Sequence, residues 1–436
     1  MTGVGVQPYR EIVFDADGDV LGPGPEPVPE DTTDLVVLAH GWQNSPAVAR
    51  ALTAAFLAPF PKSAAQAPGA RLAYAGVRWP AMRFGDEPIP DVAPPAPGAQ
   101  PAGPGLDPST REVLASLHPG HHATVRRLAA LLDERPESRA AVGEFGRLAR
   151  QLAAAPTGSL ESPFAEDLPH EEQGPPALFF EEPLGLCERL AAALEESADG
   201  AGPGRADTAP RTARGGLAPV WRGAKELLRQ TTYYAVKRRA GAVGELGLGP
   251  LLGRLARSAP GVRVHLVGHS HGARLVAFAL RGLPEGAENV GSVTLLQGAF
   301  SHYAFADGLP HAPHSPGVLA SVQERVDGPV VACFSRHDSA LGVFYPLASG
   351  LAGQPPSAAG TDPRWWAMGH DGIRAVPGAV RVSLDQALGG RLPRRGCVSV
   401  DAARVVRRGG PPAGAHSDIC HEELARLVLA AGRVGV

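Results

Sequence analysis

Short runs rich in apolar residues recur at 35–39, 72–77, 262–267, 292–296, 329–334 and 396–400, and they constrain the fold of this chain more than any other feature. The run at 35–39 is continuously apolar and too short for a globular helix, which is the signature of a strand buried on both faces. Residues 48–57 carry helical periodicity between the first two runs, and another helix-like segment, 273–280, follows the third. Strand, helix and strand in that succession predict an α/β fold with a mostly parallel sheet covered on both faces. Ahead of it, residues 11–14 and Val20 flank Asp17-Gly18, a pair that favours a tight reversal, so a hairpin is expected at the start.

At 436 residues the chain exceeds one ordinary compact domain. The excess falls in the middle. Residues 88–108 are dense in Pro, Ala and Gly, and helical patterns then recur at 124–133, 140–154, 185–198 and 217–241, with a break over 199–216. The expected organisation is a core formed by 1–80 and 260–436, interrupted by a helical insertion or cap over 81–259. The last helical piece sets Tyr233, Tyr234 and Val236 among Lys225, Arg229, Lys237, Arg238 and Arg239, and is expected to pack on the sheet with its basic face in water.

Charge excludes some partners. With 41 basic and 44 acidic residues the net charge is −3, which gives no general attraction to nucleic acid or anionic lipid. Cys187, Cys333, Cys397 and Cys420 are widely spaced and read as reduced thiols. The first residues lack the basic and apolar pattern of a secretory signal, and no run approaches the roughly 20 apolar residues that cross a bilayer. A cytoplasmic protein without membrane insertion is expected. Oligomeric state leaves no trace in the sequence. The abundance of Ala, Gly, Pro and Arg suits a high-GC bacterium.

Chemistry enters at Gly268-His269-Ser270-His271-Gly272, a Gly-x-Ser-x-Gly sequence standing between a predicted strand and a predicted helix. A serine hydroxyl becomes a useful nucleophile only when a base takes its proton, and a strand-to-helix turn presents it beside a helix N-terminus. Over 34–77 and from 262 onward the chain resembles the α/β-hydrolase superfamily. That resemblance implies an order of serine, acid and histidine. Asp338, a short loop beyond the run 329–334, fits the acid; an N-cap is its plainer role and Asp307 the reserve. His416, in the loop before the helix-like 422–431, fits the base, with His421 and His370 as alternatives. The resemblance also makes His40-Gly41-Trp42 the start of an oxyanion loop, with the backbone N–H groups of Trp42 and His271 as donors.

The expected function is a serine hydrolase that cleaves a small-molecule ester, or a related acyl bond, through an acyl-enzyme, most simply a carboxylesterase. Lipase, peptidase and amidase chemistry use the same groups, and no cofactor is required. The insertion occupies the stretch where many relatives carry a lid. Two non-enzymatic alternatives stand beside this reading: a binding protein on the same fold, and an interaction protein built on the insertion. Trp42, Trp79, Trp365, Trp366, Phe344 and Tyr345 would favour an apolar group if they line the pocket. His265 reads as core, and His118, His121 and His122 lack the carboxylates of a metal site. The side chains of His269 and His271 are expected to pack or line the pocket, and Asp418 to serve the terminus of the last helix.

Overall fold

The computed structural model describes residues 4–22, 28–41, 46–65, 67, 69–82, 84, 86, 90, 105–155, 166–168, 181–198, 216–346 and 363–435. Its centre is an eight-stranded sheet: β1 (Tyr9–Val13), β2 (Asp34–Ala39), β3 (Leu72–Arg78), β4 (Arg263–His269), β5 (Val290–Leu296), β6 (Pro329–Phe334), β7 (Val380–Ser383) and β8 (Gly396–Asp401). The spatial order is β1-β3-β2-β4-β5-β6-β8-β7 and every pairing is parallel. All strands therefore end on one edge. There Ala39 pairs with Gly268, His269 with Leu296, and Phe334 with Asp401, so the loops that follow β2, β4, β5, β6 and β8 are neighbours.

Alternate residues along each strand serve different cores, as the two-residue pleat requires. Leu35, Val37, Val264, Leu266, Val293 and Leu295 face one side, where the apolar cluster runs on into helices α3 (Pro108–Leu117), α4 (His122–Glu134), α5 (Arg139–Ala153), α6 (Pro183–Ala198) and α7 (Ala218–Ala242). Val36, Leu38, Val267, Leu296, Val331 and Val398 face the other, covered by α1 (Pro46–Leu57), α2 (Phe60–Ala64) and the C-terminal helix α10 (Glu422–Ala431). Two further helices, α8 (Gly249–Ser258) and α9 (His271–Arg281), flank β4.

Three expectations need correction. Residues 9–13 do not form a hairpin; they join the sheet beside β3, and only the single Phe14–Val20 bridge remains of the reversal. An isolated hairpin is marginal in water, whereas the sheet edge buries Ile12 and Phe14. Strand β7 has no apolar pattern to announce it, because it is an exposed outer strand. Helix α7 does not turn a basic face to water. It lies between α5 and α6 on one side and α9 on the other, which buries Lys225, Arg229, Lys237 and Arg239. Each has a partner: Lys225 and Arg229 pair with Asp86 at 2.8 and 3.0 Å, Lys237 with Asp167 at 2.9 Å, and Arg239 donates to the Leu117 carbonyl.

Candidate active site

Between β4 and α9 the chain turns on Ser270 alone, with φ 58° and ψ −123°. A side chain other than glycine rarely takes a positive φ, and such strain persists only where the surroundings impose it. Here they do. A Cβ on Gly272 would overlap the Ala39 carbonyl, and one on Gly268 would overlap the first turn of α9. Gly41 fits against Ser270 itself, since its Cβ would stand 2.8 Å from the His271 amide. The Ser270 N–H donates to the Leu296 carbonyl at 3.0 Å, which fixes the turn to β5.

Ser270 Oγ lies 2.8 Å from His416 Nε2, and His416 Nδ1 lies 2.7 Å from Asp338 Oδ2. A carboxylate only accepts, so Nδ1 carries the proton and Nε2 is left to accept from the serine. Asp338 also accepts the Leu341 N–H at 3.0 Å through Oδ1, so the N-cap and acid geometries coexist in one side chain. The acid and histidine loops are joined along their backbones, by an Asp338–Gly414 bridge and by Ala415 N–H donating to the His337 carbonyl at 2.8 Å. Ser270, Asp338 and His416 are each 5% exposed or less, so solvent does little to screen this chain.

The other candidates are elsewhere. His421 lies 2.9 Å from Asp418, His370 packs edge-on against Trp366, and Asp307 is exposed. Asp418 does not serve a helix terminus. It accepts the Arg407 and Arg408 amides at 2.9 and 2.8 Å, pinning the turn after β8. Trp42 lies outside the described residues. His271 opens α9, where first-turn amides have no carbonyl within the helix, and its ring is fully buried 4.8 Å from that of Tyr233. Burial, with Arg274 close by, keeps that imidazole well below its ordinary pKa.

His269 has a use that sequence reading missed. Its Nε2 lies 2.8 Å from the His416 carbonyl, which only accepts, so the ring donates and holds the backbone of the histidine facing Ser270. Burial lowers its pKa to about 3, so it stays neutral. Nothing local signals this contact, because the two residues are 147 positions apart.

A second Ser–His–Asp chain exists in the same sheet. His265 lies 2.9 Å from Ser292 through Nδ1 and 2.9 Å from Asp34 through Nε2. It differs in setting: these residues lie within regular strands, and Gly291 and Gly432 close over the imidazole so tightly that a Cβ on either would press on it. Ser270 instead opens on a cleft of about 520 Å³ counted to its mouth. One wall is α7, the other the turn Ala340–Phe344 with Pro412 and Ala413. The cleft stands at the carboxyl ends of the strands, the usual ligand position in open α/β sheets.

Among the described residues, no helix is long and apolar enough to cross a membrane, and no group of three or more His, Cys, Asp or Glu is set to hold a metal ion. No family model, curated protein or solved structure matches the chain. The functional reading therefore rests on the chemistry of the site.

Proposed function

We propose that the protein is a serine hydrolase of the α/β-hydrolase fold that cleaves a small-molecule ester, or a related acyl bond, through an acyl-enzyme on Ser270. The observation that carries this reading is the strained Ser270 hydrogen-bonded to His416, itself hydrogen-bonded to Asp338, at the floor of an open cleft. His416 Nε2 takes the Oγ proton as the oxygen attacks the carbonyl carbon, and Asp338 stabilises the imidazolium. Collapse of the tetrahedral intermediate breaks the bond to the leaving group, which takes the proton from His416. Water then repeats the sequence on the acyl-enzyme, releasing the acid and restoring the serine. The His271 and Trp42 amides are the proposed oxyanion donors, each of a kind worth about 3 kcal/mol to the transition state.

The test is labelling by a fluorophosphonate probe. Wild type is expected to label, and Ser270→Ala and His416→Ala are expected not to, with hydrolysis of p-nitrophenyl butyrate lost in parallel. Folded wild type that neither labels nor hydrolyses esters would replace this reading with a binding protein.

A further inference from the structure

The α7 wall of the cleft is polar, although it is buried. Glu226, Arg229, Gln230 and Tyr233 line it, and their spacing of three, four and seven places them on one stripe of the helix. Glu226 is 1% exposed and accepts from Arg229 Nε at 2.8 Å and Gln230 Nε2 at 2.6 Å. Arg229 also pairs with Asp86 and lies over the Phe84 ring. Buried charges are costly even when paired, and apolar residues of similar volume often serve stability as well or better. A charged stripe kept on the wall of a cleft therefore points to recognition.

Resting on the serine-hydrolase reading, we propose that the cleft selects an ester with one apolar portion and one uncharged, hydroxyl-bearing portion, the latter read by the stripe on α7. The apolar portion meets Leu341, Phe344 and Ala413 across the cleft. The hydroxyl-bearing portion meets Gln230, whose amide is oriented because its nitrogen is bound to Glu226, so Oε1 is the free end of a fixed group. Charge sets the rest of the preference. Lys225 and Arg229 are matched by Asp86 and Glu226, so the wall has no net charge to offer an anion or a cation. An anionic substrate would compete with two carboxylates already in place, and a cationic one with two basic groups.

The experiment compares kcat/KM for ethyl butyrate, glyceryl monobutyrate, ethyl 3-hydroxybutyrate, monoethyl succinate and butyrylcholine, with Ser270→Ala as the blank. At least one hydroxylated ester is expected to exceed ethyl butyrate by about tenfold or more, because a site built to bond a hydroxyl discriminates against the analogue lacking it. Both charged esters are expected below it. In Gln230→Leu, and independently in Gln230→Met, the ratio of hydroxylated to plain ester should fall several-fold. Equal rates for plain and hydroxylated esters, preference for a charged ester, or an unchanged ratio in both variants would overturn the proposal. Fluorophosphonate labelling of every preparation separates the two levels. Labelled protein without the preference removes only the substrate class, whereas folded protein without labelling removes the hydrolase reading beneath it.

Discussion

At the scale of single residues, the chain from Ser270 through His416 to Asp338 makes the sharpest predictions. Asp338→Asn should lower kcat by about 10³–10⁴-fold, since an amide no longer holds His416 in the tautomer that accepts from serine. Steady-state kinetics on a p-nitrophenyl ester provide the check, and a loss under tenfold would argue that the carboxylate is only an N-cap. His269→Phe keeps a ring in place but strips the donor from a buried carbonyl, a loss of about 1–3 kcal/mol. It should reduce kcat with KM held and lower the melting temperature; unchanged kcat would deny His269 a positioning role. Ser270, Asp338 and His416 were legible because each follows or precedes an element with a strong pattern of its own. His269 and Asp418 were not, since their partners are backbone groups whose location depends on the finished fold.

At the scale of elements, apolar runs revealed the inner strands, and their pattern fails where burial fails, as in β7. Helix α7 shows the opposite error. Its basic residues looked like a solvated face because a sequence does not disclose the acids that will meet them, and Asp86 and Asp167 come from distant segments. Asp167 is fully buried between Lys237 and Arg274, and it also accepts the Ser301 amide. Asp167→Asn should therefore leave two buried cations without their counter-charge and cost about 3–5 kcal/mol of stability. Urea unfolding measures this directly, and a change under about 1 kcal/mol would show that water reaches the cluster.

At the scale of the whole molecule, buried histidines couple folding to pH. Burial lowers His40 and His269 to about 3 and His118 to about 4, from an ordinary value of 6.5. As pH falls below 6.5 the unfolded chain takes up protons that the native state refuses, so stability declines by about 1.4 kcal/mol per pH unit for each such residue. The decline continues until the native groups themselves titrate. Asp34 adds a later loss: burial alone would raise its carboxyl, but bonds from His265 and Thr33 hold it below 3.8, so its contribution disappears as pH drops through that lowered value. Urea midpoints at pH 7.5 and 5.0 should differ accordingly. His118→Leu should flatten the dependence, since among the described residues neither of its ring nitrogens has a hydrogen-bond partner. An equal slope in that variant would remove His118 from the account. The two walls of the cleft also have separate origins along the chain. Ser270, Asp338 and His416 follow β4, whereas the facing stripe lies on α7, before it. Substitutions accumulating on α7 can thus redraw what the cleft admits while the reacting groups stay fixed, a division of labour that would let descendants of one ancestral gene diverge in diet without reinventing their chemistry.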